Sequence, residues 1–148
     1  MHLTRRRKAD VSAVVNINGF SGEPLKELRV LGCYVDPQLK WTRHITKVTE
    51  EGMDRLKSLS RIAGSTWGPS FARTRLLYMT TIRSAILQAS PVWSIGDSGK
   101  GQSATALQPL CLLQNKCLRL ISGAYKHAPV AALEREIDVP PLPLSLQA

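Results

Sequence analysis

Between Leu28 and Ile45 the chain changes its apolar period, and that change sets the main division of the fold. Leu28, Val30, Cys33 and Val35 are apolar positions in a stretch rich in β-formers, Asp36-Pro37 is turn chemistry, and from Thr42 onward the apolar residues recur at three and four positions. A strand-like N-terminal part therefore gives way to a helical remainder near residue 41. Asp before Pro at the end of a strand reads as a turn or cap residue, not as a catalytic carboxylate. Residues 11–18 read as a second strand, joined to 28–35 across Gly19 to Pro24 as one antiparallel pair. A lone hairpin is marginal in water, so this pair needs a surface to pack on.

From Thr42 to Ala63 one apolar stripe runs through Ile45, Val48, Gly52, Leu56, Leu59 and Ala63, opposite Arg43, Lys47, Glu50, Asp54, Lys57 and Arg61. Lys47 is placed to pair with Glu50 or Glu51, and Asp54 with Lys57. A second helix is expected from Ser70, as N-cap, to about Gln88, with Pro91 ending it. Its apolar arc (Phe71, Ala72, Leu76, Tyr78, Met79, Ile82, Ala85, Ile86, Ala89) covers about half the circumference and encloses Arg75 and Arg83, which must snorkel, pair with an acid or meet an anion. Residues 96–107 read as a flexible connector whose glycines lack phosphate-loop spacing. A third helix is expected over Pro109 to Ser122, stopped by Gly123, and a fourth over Pro129 to Glu136, followed by an extended Val139 to Pro143.

Twenty Lys and Arg against eleven Asp and Glu give a net charge of +9, which fits a polyanionic partner and equally a solvated basic surface with no specific ligand. After Asp54 the next acid is Asp97, and between them lie Arg55, Lys57, Arg61, Arg73, Arg75 and Arg83. A helical hairpin gathers several of these near one end, where a phosphate backbone can replace the missing acids. Arg55, Lys57, Arg61, Arg73 and Arg75 are the candidate nucleic-acid contacts. Trp67, in the turn, reads either as a hydrophobic plug or as a stacking platform.

Cys33, Cys111 and Cys117 form no Cys-x-x-Cys, and His2, His44 and His127 are far apart, so neither a disulfide framework nor a zinc site is indicated. Cys111 and Cys117 read as small core hydrophobes. No stretch reaches the roughly 20 apolar residues of a spanning helix, and no signal-peptide apolar core follows the N-terminal charges. The expectation is an intracellular protein, cytoplasmic or nuclear, without a membrane partner. Arg5-Arg6-Arg7-Lys8 reads as a phosphate contact or solvated turn before a nuclear address.

The ordered set of motifs resembles the end of the palm, the thumb and the connection of non-LTR (LINE-type) retrotransposon reverse transcriptases, fungal ones in particular. The pieces are His2 to Lys8, then the Leu31-Gly32 centre of a primer-grip-like segment (Leu31, Gly32, Cys33), and the Gly64 to Gly68 turn. Gln114-Asn115, Leu118-Arg119, Ile121 to Ala124 and Pro140-Pro141-Leu142 follow in order. Where that family has Tyr-Gly-Ala, this chain has Gln88-Ala89-Ser90 before Pro91-Val92-Trp93. The resemblance implies a part that holds template and primer, while the carboxylates of two-metal phosphoryl transfer and their magnesium ions lie outside it; the chain contains no Asp-Asp pair.

The fold expected is mainly α with a small N-terminal β-hairpin (α+β) and a thumb-like helical bundle. Its parts are 1–40 (palm edge), 41–95 (helical hairpin), 96–107 (connector) and 108–148 (connection). No catalytic residue, metal or cofactor is expected on this chain, and binding to an RNA or DNA template–primer is expected to be weak and non-specific. The missing partners are the parent's palm and ribonuclease H segments. Two other readings stand beside this one: a stand-alone basic nucleic-acid-binding helical module, and a degenerate transposon remnant with no activity. Without its palm the chain is expected to keep order over 42–90, to be mobile over 1–27 and 96–107, and to expose an apolar patch.

Overall fold

Two dipeptides, Asn18-Gly19 and Leu31-Gly32, set the N-terminal architecture. In the computed structural model, which describes residues 3, 14–23, 25, 27–64, 67–95 and 101–146, each joins a pair of three-residue strands. β1 (Val15–Ile17) pairs antiparallel with β2 (Phe20–Gly22), and β3 (Leu28–Val30) with β4 (Cys33–Val35). Both residues of each turn have positive φ, 48° and 83° in the first and 49° and 90° in the second, as a two-residue type I′ turn requires.

The single hairpin expected from 11–18 to 28–35 is thus replaced by two local ones. Asn-Gly closes the first before the chain reaches Leu28, and the stretch 28–35 folds back on itself instead of running through. Residues 11–13 of the expected first strand lie outside the described residues, as do 1–2, 4–10 and 96–100 of the segments expected to be mobile. On β3–β4 the cross-strand pair Arg29–Tyr34 sets a guanidinium 5.4 Å from the ring centroid. Asp36 behaves as a turn residue: its carbonyl accepts from Leu39 N–H (3.0 Å), and its Oδ1 accepts from the N–H groups of Lys40 (2.9 Å) and Trp41 (3.4 Å).

The chain forms two units, Met1–His44 and Ile45–Ala148. Among the described residues of the first, Cys33, Trp41 and His44 are buried. His44 meets Trp41 edge-on and Tyr34 at a tilt, each at 6.4 Å between ring centroids, and its Nδ1 accepts from Tyr34 N–H (3.4 Å). Arg43 and Glu27 form an ion pair at 2.9 Å.

The second unit holds the main core. α1 (Thr42–Ile62) begins at the end of the first unit and buries Ile45, Gly52 and Leu59 on the expected stripe, with Ala63 just past its end. A Cβ at Gly52 would run into Leu113, so glycine lets α1 approach that side chain closely. Lys47–Glu50 (2.9 Å) and Lys57–Asp54 (2.8 Å) form on its polar face.

The second helical stretch is α2 (Phe71–Leu77), a π-helical segment over Tyr78–Arg83 and α3 (Ser84–Leu87), with α4 (Ser90–Trp93) restarting after Ala89 at φ 54°. Ser84 N–H donates to Met79 O, five residues back, the signature of the wider turn. In an α-helix of about 3.6 residues per turn, residues 78 and 83 point apart; the wider turn buries Tyr78, Ile82 and Arg83 together. Phe71, Ala72 and Leu76 of the expected apolar arc are exposed, and Thr74 is buried in their place. Ser70 stands at the N-cap without a side-chain cap bond; its carbonyl instead accepts from Thr74 N–H (2.9 Å) and Thr74 Oγ1 (3.2 Å).

α5 (Ala104–Ser122) starts earlier than Pro109 suggests, because Ser103 Oγ accepts from Ala106 N–H (3.2 Å) and caps it; Pro109 sits inside the helix. Gly123, at φ 65°, ends it. α5 packs against α2, α6 (Val130–Glu136) and α7 (Leu142–Ser145), all within the unit Ile45–Ala148. The expected extended run to Pro143 ends early, since Leu142 opens α7. Tyr78, Ile82, Ile86, Trp93, Leu110, Leu113, Cys117, Leu118, Ile137, Val139 and Leu142 are fully buried. Each large apolar side chain among them contributes about 1.5 to 3 kcal/mol on burial.

Candidate nucleic-acid interface

The cations of the helical unit divide by what holds them. Arg83 is 4% exposed, and no carboxylate touches it among the described residues. Its Nη1 donates to Gln114 Oε1 (2.9 Å), and its Nη2 to Pro140 O (3.1 Å) and to Ser145 Oγ. Gln114 relays the charge, since its Nε2 donates to Glu134 Oε1 (3.1 Å) while its Oε1 also accepts from Tyr78 O–H (3.2 Å). A buried guanidinium is tolerated when acceptors replace water around it, and here they come from α5, α7 and the stretch before α7. Burial pushes the Tyr78 phenol up to about 12 and outweighs the pull of the Arg83 charge. Cys117, also in the core, is pushed up to about 12 by burial, and Cys111 and Cys33 are raised by the same cause.

Arg75 is engaged too. Its Nε donates to Ile137 O (2.5 Å), and its Nη2 to Asp138 O (2.8 Å) and Asp138 Oδ2 (3.1 Å), tying α2 to the end of α6. Of the outcomes expected for Arg75 and Arg83, Arg75 pairs with an acid, Asp138, and both also donate to carbonyls at chain ends that lack helical partners. Arg75 is thereby a structural tie before it is a phosphate contact. Arg55 Nη1 donates to Thr81 O (2.5 Å) from an exposed position, and Lys57 shares its exposed pair with Asp54. Such a surface pair is worth at most about 1 kcal/mol and yields readily to another anion.

Arg61 and Arg73 differ from these: both are exposed, and neither has a hydrogen-bond or ion-pair partner among the described residues. They bracket the turn between α1 and α2. Gly64 N–H donates to Trp67 O (2.9 Å), and Gly68, at φ 113°, lies so close to the end of α1 that a Cβ there would stand 2.5 Å from Ile62 O. Trp67 is 62% exposed, so the plug reading does not describe it.

The primer-grip-like residues sit at the tip of β3–β4. Leu31 is 92% exposed at φ 49°, a conformation costing a non-glycine residue about 1 to 2 kcal/mol, whereas Cys33 is buried. Sequence reasoning placed Arg83 in an apolar arc but missed its partners, Gln114, Pro140 and Ser145, which are 31 to 62 residues away. No local signal points to them.

Among the described residues no three His, Cys, Asp or Glu side chains gather in a way that holds a metal ion, and no helix is long and apolar enough to cross a membrane. The chain matches no protein-family model, no curated protein and no solved structure.

Proposed function

We propose that this chain binds nucleic acid non-specifically through the cationic end of its helical unit, as the template–primer-holding part of a reverse-transcriptase-like parent whose catalytic carboxylates lie elsewhere. The observation that carries the reading is the pair of exposed guanidiniums, Arg61 and Arg73, without a partner among the described residues, flanking the α1–α2 turn of a chain with net charge +9. Arg55 and Lys57 add exposed charge along the same helix. The ordered motifs of the retrotransposon resemblance support the parent; the extensive core of residues 45–148 supports the alternative of a stand-alone binding module. An Asp-Asp motif upstream in the same reading frame would favour the first of these.

The test is a titration of pure protein against a labelled primed template. Dissociation constants of about 10⁻⁴ to 10⁻⁶ M are expected at physiological salt, tightening steeply as salt falls. R61E/R73E should weaken binding. Undetectable binding at low salt, or an affinity that the double reversal leaves unchanged, contradicts the reading. Primer extension by the pure chain would contradict its lack of catalysis.

A further inference from the structure

We propose that Trp67 is a stacking platform for an unpaired base, with Arg61 and Arg73 taking adjoining phosphates of the same strand; this rests on the nucleic-acid reading above and deepens it. The chain has three tryptophans, and they divide sharply: Trp41 is 6% exposed, Trp93 is 0% exposed, and Trp67 is 62% exposed. Trp93 Nε1 donates to Gln88 O (2.9 Å), as a buried indole does. Trp67 is instead held at the surface. The nitrogen edge of its ring lies against Gly64, where an added Cβ would stand 2.6 Å from Nε1 and 2.7 Å from Cε2, so the backbone holds one edge of the ring.

The same turn carries charge. Ile62 and Gly68 are in contact, which puts Arg61 and Trp67 each one residue from a shared point, and Arg73 follows in the first turn of α2. No acid occurs in the sequence between Asp54 and Asp97 to neutralise them. An exposed aromatic ring on the same inter-helix turn as guanidiniums that have no partner among the described residues is the chemistry that holds single strands: the ring accepts any base face, and the cations follow the backbone. An apolar protein face would use the ring and the neighbouring Ile62 and Phe71 but would strand both arginines without counter-charge. A duplex offers phosphates but hides its base faces.

The experiment titrates the full chain at low salt with short single-stranded DNA, single-stranded RNA and a duplex of matched charge, reading anisotropy and tryptophan emission. Because Trp41 and Trp93 are buried, quenching reports Trp67. Quenching by single strands but not by duplex is expected, and the tighter of the two single strands names the strand type. Trp67→Ala should weaken single-strand binding by about five- to 150-fold, the scale of one stacked base, and leave duplex binding unchanged. Trp67→Phe should retain most of the single-strand affinity, which also covers the case in which the alanine variant fails to fold. If single strands bind in an arginine-dependent way without quenching, or Trp67→Ala binds them as well as wild type, the platform is wrong while the cationic reading stands. If neither strand nor duplex binds, the cationic reading itself fails.

Discussion

The N-terminal unit and the helical unit are held by different forces, although both contain well-formed secondary structure. In the first, strand side chains such as Ile17, Leu28 and Val30 are exposed, and the order comes from turn geometry, short ladders and the Tyr34–Trp41–His44 cluster. In the second, side chains from α3, α4, α5 and the C-terminal segment are buried almost completely. The contrast extends to charge. Arg43 in the first unit pairs with Glu27 at the surface; Arg83 in the second lies in the core among carbonyl, hydroxyl and amide oxygens. Cations between elements of the helical unit hold it together, and Arg61 and Arg73, flanking its α1–α2 turn, have no partner among the described residues.

The largest expected effect comes from stranding the buried guanidinium. Gln114→Leu removes the acceptor that Arg83 Nη1 and Tyr78 O–H share and cuts the link to Glu134. A loss of about 3 to 5 kcal/mol is expected in urea unfolding followed by circular dichroism, the scale for leaving a buried charge uncompensated. Adding Arg83→Met to Gln114→Leu should recover part of it. If Gln114→Leu costs less than about 1 kcal/mol, the network is incidental and the contrast between the units fails.

Alkaline pH gives a smaller effect with a definite sign. Burial raises Tyr78 from 10.0 and Cys117 from 9.0, each to about 12. Both groups are acids that keep their protons more tightly in the fold than in the unfolded chain. The stability they lend is therefore full below pH 9 and is lost as pH rises from about 9 to about 12. Tyr78→Phe should remove the phenol's share of that loss, about 2 to 3 kcal/mol at full ionisation. An alkaline profile identical in wild type and Tyr78→Phe would show that the phenol is not buried. The smallest effect is expected at the surface of the first unit: Arg43→Ala, which breaks a half-exposed pair with Glu27, should cost about 0 to 1 kcal/mol in the same urea assay, and less at high salt.

Much of the fold was legible because its signals are local. The stripe from Ile45 to Ala63, the Lys47–Glu50 and Lys57–Asp54 pairs, the Asp36 turn and the Gly123 stop each depend on residues a few positions apart. The first hairpin carries a local signal of its own: Asn18-Gly19 is the strongest two-residue turn dipeptide, and it splits the expected single pair. Leu31-Gly32 offered no such cue, since leucine rarely adopts positive φ. The π turn over Tyr78–Arg83 was hidden for another reason, because its register answers to partners far along the chain and not to its own residues. Of the five candidate binding cations, sequence spacing could not separate Arg75, which ties α2 to α6, from Arg61 and Arg73, which have no partner among the described residues.

The central claim is that Arg61 and Arg73 neutralise phosphates, and the salt dependence of binding tests it most directly. Log affinity against log salt should be linear for the wild-type chain, and each of R61E and R73E should reduce the slope by about 0.7 to 0.9, the value for one phosphate contact on single-stranded or duplex nucleic acid. R43E, which reverses a paired arginine of the first unit, should leave the slope unchanged. Slopes for R61E and R73E equal to that of wild type would contradict the account, whatever the absolute affinity.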